Sequence, residues 1–200
     1  MAITDAYATA AQYRAVTGKT DTSQDAEILI DLKAVSRYLE GKMGRFFNKD
    51  ADDVARIYIP ENNLVSIAVN DLSAAPTTVQ VDTDDDGTYA TTLAATDYEL
   101  LPLNSDKGPE PWPFTRIGMT PWGNYSCFHR AVRVKVTAKF GWPAIPIAIQ
   151  QATCNLTAIL RLESPRATTR IAELDGVMET SQQAQNIIQQ LTGQYKVWRV

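Results

Sequence analysis

The chain reads as α+β: an N-terminal helix pair and a long C-proximal helix around an inserted antiparallel β-sheet or small barrel, followed by a C-terminal tail helix. Three observations predict this class. From Ala131 to Phe140 every even position is apolar (Val132, Val134, Val136, Ala138, Phe140) and nearly every odd one is polar or basic, the period-two pattern of a half-buried strand. Just beyond it, Ile145, Ile149, Ala152, Leu156, Ile159 and Leu160 recur at helical spacing on one face. Between residues 54 and 140 the apolar period is two, and on either side of that stretch it is helical.

The elements follow in order. Thr4 is the expected N-cap of a first helix over residues 4–16, which Gly18 would end. A second helix over 22–43 would be capped by Ser23 or Thr22 and carries Asp25 and Glu27 in its first turn, where the helix dipole favours acids. Its buried stripe is Ile28, Leu32, Val35, Leu39 and Met43, and Gly44 stops it ahead of Arg45-Phe46-Phe47. Short strands are expected at 54–59, 64–70, 77–81, 88–93, 98–101, 114–119 and 131–140, separated by turn formers. The proline-rich stretch Asn104 to Pro113 and the stretch Thr120 to Ser126 read as loops. Gly141-Trp142-Pro143 ends the last strand, and Pro146 sits in the first turn of a helix over 145–162.

Glu163 to Thr169 reads as a linker, dividing the chain into a core over 1–163 and a docking tail over 164–200. The tail helix, about Ser181 to Leu191, presents Ala184, Ile187, Ile188, Leu191 and Tyr195 on a glutamine-rich surface. Gly193 would end it, leaving Tyr195, Val197 and Val200 as alternate residues of an extended end. So narrow a stripe has to dock, on its own domain or on a partner's groove or sheet edge.

A chain of 200 residues with 44% hydrophobic content can bury a real core. No run approaches the roughly eighteen apolar residues of a membrane span, and the N-terminus has neither the basic start nor the apolar stretch of a secretory signal. Cys127 and Cys154 are read as reduced thiols, since two cysteines make a poor disulfide framework. The net charge of −4 conceals an asymmetry: residues 61–110 hold ten acidic side chains against one lysine, and residues 111–170 hold eight basic against one acidic. These are either opposite solvated faces of one domain or complementary surfaces on successive copies.

Chemistry-bearing motifs are few. Asp82-Thr83-Asp84-Asp85-Asp86-Gly87 matches the first half of a calcium loop, but Leu93 stands where the bidentate glutamate belongs, so the expectation is an acidic hairpin turn built on Asp86-Gly87. Cys127 and His129 are the elements of a thiol–base pair without an orienting carboxylate, and one histidine with two distant cysteines cannot complete tetrahedral zinc. No phosphate-binding glycine motif is present. No catalytic residue, cofactor or metal is therefore expected. Arg130, Arg133, Lys135 and Lys139 form a basic stripe on the outward face of the last strand, read as a solvated face, a subunit contact or a nucleic-acid surface. Trp112, Trp122 and Trp142 offer stacking surfaces for a rival reading, a small-ligand or carbohydrate-binding β module.

The order of elements resembles the head-tail adaptor (connector) proteins of long-tailed bacteriophages and related gene-transfer particles. Tyr38-Leu39-Glu40 with Gly44-Arg45-Phe46-Phe47 is similar to that family's second helix and aromatic turn. Asp97-Tyr98-Glu99-Leu100, the tryptophan- and proline-rich loop, and Val132 through Pro143 are similar to its passage into the last core helix. The resemblance covers about residues 4–162. It implies a structural, non-enzymatic ring subunit, a dodecamer below the portal protein, that extends the DNA channel and joins capsid to tail. The implied place is the virion's head-tail interface after assembly in the host cytoplasm, with downstream neck or tail proteins as further partners and no membrane. It also implies portal or partner docking by Ile187, Ile188, Leu191, Tyr195, Val197 and Trp198, and subunit contact through the basic stripe. DNA would pass without specific binding, and a channel-facing hairpin of Asp82, Asp84, Asp85 and Asp86 would repel its phosphates.

Overall fold

The computed structural model describes residues 5–60, 65–108, 110–125, 127–128, 133–163 and 174–196. The chain forms two compact units, one of Met1–Asn48 with Ile145–Val200 and the other of Lys49–Ala144. The first is helical: α1 (Ala10–Thr17), α2 (Asp25–Met43), α3 (Ile147–Glu163), α4 (Leu174–Thr180) and α5 (Gln182–Tyr195). The second carries all the strands: β1 (Val54–Tyr58), β2 (Ser66–Leu72), β3 (Thr78–Asp82), β4 (Thr91–Thr92), β5 (Tyr98–Leu101), β6 (Phe114–Met119) and β7 (Arg133–Ala138). The fold class is α+β.

In the helical unit α1 begins later than the sequence suggests. Thr9 caps it through a capping box with Gln12, and Gly18 ends it at φ 68°. Thr4, the expected cap, lies outside the described residues. The residues ahead of Thr9 are drawn away from helix geometry because Tyr7 is buried and its N–H donates to Ser36 Oγ at 3.0 Å. The cap expected for α2 is also absent: Ser23 donates its hydroxyl and N–H to Asp21, and Gln24 occupies the cap position without a side-chain bond. The expected stripe of α2, Ile28 through Met43, is fully buried. Gly44 stops the helix at φ 66°, donating to the Glu40 carbonyl at 2.8 Å.

Two buried polar groupings hold this unit in register. Arg161 on α3 reaches Asp31 on α2 at 2.5 Å, with Asp31 1% exposed, and its other nitrogen donates to Gln24 at 2.9 Å. The Tyr7 hydroxyl donates to the Glu40 carboxylate and accepts the Phe47 N–H at 3.1 Å, while Arg37 pairs with Glu40 at 2.7 Å. Burial pushes the Glu40 carboxyl above the usual range despite these partners.

The C-terminal helices belong to this core. Ser181 caps α5 by accepting the Ala184 N–H, Ala184, Leu191 and Tyr195 are buried, and Tyr195 meets Phe47 edge-on at 5.7 Å. Gly193 does not end the helix as expected. Glycine inside a helix costs about 1 kcal/mol, and the aromatic burial of Tyr195 two residues on offsets it. The short helix α4, not foreseen in the sequence, supplies Val177 and Met178 to the interior.

The second unit holds two antiparallel sheets, ordered β1-β7-β3-β4 and β2-β6-β5, and they do not close into a barrel among the described residues. β7 is central to the first, pairing Val136 with Arg56 on one side and Val79 on the other. Val134, Val136 and Ala138 face inward as their alternation predicts, meeting Ile67, Leu72 and Ile117 of the other sheet in one apolar cluster. β4 is cut to two residues: the chain from Thr83 to Gly87 is bent into a turn, and Thr88, where the strand was expected to begin, gives its N–H to Asp86.

Replacing Tyr7 by Phe keeps its edge contact with Phe47 but removes both polar partnerships. We expect Tyr7→Phe to lose about 1–3 kcal/mol, measured as a lower urea midpoint at unchanged slope; an unchanged midpoint would show the grouping to be dispensable.

Candidate functional site

The acidic turn and the basic stripe are neighbours. Asp82, the last residue of β3, stands opposite Arg133, the first of β7. The Asp82 carboxylate is buried and accepts the backbone N–H groups of Asp84, Asp85 and Gly87 at 3.3, 2.9 and 3.1 Å, with Asp85 at φ 60° and Gly87 at φ 81°. The positive dihedrals thus fall at Asp85 and Gly87, in a long carboxylate-organised turn and not in a two-residue Asp86-Gly87 hairpin. Asp82, Asp84 and Asp86 each bring a carboxylate oxygen within 4.8 Å of the others. Leu93, at the place a calcium loop reserves for glutamate, is buried in the apolar cluster.

Of the basic stripe, Arg133 pairs with Asp85 at 2.9 Å and Lys135 lies over the Tyr89 ring at 4.4 Å. Lys139 is exposed, and Arg130 lies outside the described residues. The opposition of charge along the sequence is therefore partly satisfied between adjacent strands of one sheet.

The three tryptophans do not form a common stacking surface. Trp142 is 1% exposed, donates its indole N–H to Asp71 at 3.1 Å and packs against Trp112 at 4.9 Å between centroids. Trp122 stands apart from them, 77% exposed.

The loop that carries Trp122 is tightly built, which the sequence did not reveal. Asp97, 1% exposed, is its hub. One oxygen accepts the Asn124 N–H and side-chain amide at 2.8 and 3.0 Å, and the other accepts the Ala94 N–H at 2.9 Å. Thr120 bonds the Asp97 carbonyl through its N–H and the Thr96 carbonyl through its hydroxyl. A side chain at Gly123 would meet the Asp97 Cα at 2.7 Å, so only glycine fits there. The donors around it, the Asn124 N–H foremost, hold the Asp97 carboxyl below the usual carboxylate range. A Gly-Asn pair after Pro-Trp hints at a turn, but nothing local points to an aspartate more than twenty residues earlier.

Of the docking residues, Leu191 and Tyr195 are buried within the helical unit, Ile187 and Ile188 are half-buried on α5, and Val197 and Trp198 lie outside the described residues. Cys127 is half-buried and free, and its companion His129 also lies outside the described residues. Cys154 is buried in the helical core, which pushes its thiol up to about 11. No helix among the described residues is long and apolar enough to cross a membrane. On the helical unit an open groove of about 510 Å³ lies between the residues leading into α1 and the first half of α2, its lining of alanines and Leu29 interrupted by Asp5, Asp25 and Lys33.

No protein-family model matches the sequence, and no curated protein matches it either. Solved structures do. The chain resembles one from the neck of an empty GTA particle computed with C6 symmetry, at TM-score 0.54 and 18% identity, covering 96% of this chain and 90% of that one. It also resembles one from the virion of a native gene transfer agent particle, at TM-score 0.51 and 18% identity, with the same coverage. At that identity the likeness establishes a shared fold.

Asp97→Asn would set an amide N–H₂ where the carboxylate accepts. Because the folded pKa of Asp97 is depressed, its contribution is complete above the unfolded value of about 3.9 and fades as pH falls through the folded one. The expected result is lower hydrogen-exchange protection at the Asn124 and Ala94 amides in the variant at neutral pH. The wild type should lose that protection only in acid, and equal protection in the two chains at neutral pH would refute the role of the charge.

Proposed function

We propose that this chain is a structural subunit of the neck of a phage-like particle. Copies would join in a ring beneath a portal protein, extending the DNA channel toward the tail. The observation that carries the reading is the fold likeness to the neck chain, which spans nearly the whole of both chains. The six-fold symmetry applied to that neck suits a ring of six or twelve subunits here. The resemblance read from the sequence points the same way.

On this reading the chain carries out no chemistry, resides in the virion and is assembled in the host cytoplasm. Asp84 and Asp86, exposed on the acidic turn, suit a channel wall that repels phosphates and lets DNA pass. Ile187 and Ile188, with the residues that follow α5, suit contact with the portal. The stripe of Arg133, Lys135 and Lys139 suits a polar rim between subunits more than a phosphate track, since two of its three described cations already have partners.

Sedimentation of the isolated chain, alone and with purified portal rings, tests the proposal. The expected outcome is a closed oligomer, alone or on the ring. Ile188→Asp, which leaves Leu191 and Tyr195 in the core, is expected to weaken portal binding without changing the chain's own assembly. A chain monomeric in both settings would end the proposal.

A further inference from the structure

Three buried rings meet in a row in the helical unit. Tyr7, from the segment ahead of α1, stands edge-on to Phe47 at 5.5 Å, and Phe47 stands edge-on to Tyr195, the last residue of α5, at 5.7 Å. At the Tyr7 end of the row lies a carboxylate. Glu40 is 8% exposed, accepts the Tyr7 hydroxyl and stands in the last turn of α2, where the negative end of the helix dipole disfavours an acid. Its charge is poorly compensated. Arg37 pairs with it at 2.7 Å but is 35% exposed and also donates to the Asp5 carbonyl at 3.3 Å, so water shares that cation. Of the other cations near it in sequence, Lys42 lies over the Tyr38 ring at 5.1 Å, and Arg45 is half-buried beyond the helix end. Phe47 and Tyr195 bring no charge. Burial outweighs the help of Tyr7 and Arg37, which is why the carboxyl is raised above the usual range.

We propose that Glu40 is the control point of a release device: ionised, it leaves the segment ahead of α1 and the last turn of α5 ready to open together, and a proton on it fastens them. The sign follows from linkage. A carboxyl raised in the folded chain binds its proton more readily there than in the unfolded chain, so stability is gained as pH falls through the folded value and is complete below the unfolded value of about 4.3. At neutral pH that gain is absent. The aromatic row carries the effect outward, because opening at Glu40 frees the Tyr7 hydroxyl that accepts the Phe47 N–H at 3.1 Å, and a shift of Phe47 removes the ring against which Tyr195 closes. On the neck reading the residues after α5 meet a partner, and a fastening left weak at neutral pH makes them available to it. The device stands on the helical unit alone, so its failure leaves that reading intact.

Two substitutions test it with opposite signs, read by amide hydrogen exchange on the isolated chain. Glu40→Gln keeps the size and an acceptor for the Tyr7 hydroxyl while removing the charge, and Arg37→Gln keeps the carboxylate while removing its cation. At neutral pH, protection at the Tyr7, Phe47 and Tyr195 amides is expected to rise several-fold in Glu40→Gln and to fall several-fold in Arg37→Gln, each against the wild type. Both differences are expected to close as pH falls to about 4.3, because the wild-type carboxyl then carries its proton. The Glu40 carboxyl itself, followed by NMR, is expected to titrate above that value. The proposal is overturned if protection in Glu40→Gln equals or falls below the wild type at neutral pH, or if either difference persists unchanged in acid, which would make the role one of packing. It is overturned as well if Tyr195 does not follow Tyr7 and Phe47, which would leave α5 out of the device. Circular dichroism checks that both variants fold. Should either fail to, the wild-type titration decides alone, and a Glu40 carboxyl that titrates at or below the ordinary value ends the proposal.

Discussion

Much of the structure depends on the antiparallel pairing of β1 with β7, which runs from Val54 opposite Ala138 to Tyr58 opposite Val134. The Asp50 N–H bond to the Phe140 carbonyl extends it toward both ends of the sheet unit. The strand that enters that unit and the strand that leaves it therefore lie side by side. This matters for the helical unit, because α2 and α3 pack together although the whole β insertion separates them in sequence. Closing a structureless loop of roughly 100 residues costs on the order of 4 kcal/mol in chain entropy. An insertion that folds with its ends together absorbs that cost in its own core, and the helices are left to pack as if their connection were short.

Within the helical unit, polar groups choose among the ways that apolar stripes could slide. Leu32, Val35 and Leu39 would accept several rotations of α3 against α2. Arg161 reaching Asp31 and Gln24 accepts far fewer, because a shift of one turn would strand a buried carboxylate. Tyr7 acts similarly on the segment ahead of α1, joining Glu40 of α2 to the Phe47 backbone past its end. These contacts add less to stability than to uniqueness, since pairing in the interior only roughly offsets the loss of hydration.

What was legible in the sequence divides along the same line. Where the pattern is set by burial of a whole face, the elements came through: β6 at Phe114–Met119, the alternation of β7, the stripe of α2 and the apolar face of α3. Where a distant partner decides, they did not. The start of α1 moved because Tyr7 is claimed by Ser36 and Glu40, about thirty residues away. Gly193 stayed helical because Tyr195 has Phe47 to meet, and β4 starts late because the turn organised by Asp82 runs up to Thr88, whose N–H goes to Asp86 and not to a ladder. The same limit applied to the candidate site. The acidic run and the basic stripe were each visible, but their adjacency across β3 and β7 was not, and the Asp97 hub left no local sign.

That adjacency bears on how copies of this chain could recognise one another. Arg133 and Asp85 are each about half exposed, a setting in which an ion pair contributes roughly 0–1 kcal/mol and is screened by salt. With Lys135 lying over Tyr89, little of the described stripe is left to draw a neighbour, so electrostatics here tunes orientation more than affinity. Any affinity between copies would have to come from apolar surface, and each unit exposes large apolar side chains: Leu29 and Ile30 on α2 of the helical unit, Ile57 on β1 and Trp122 on its loop in the sheet unit.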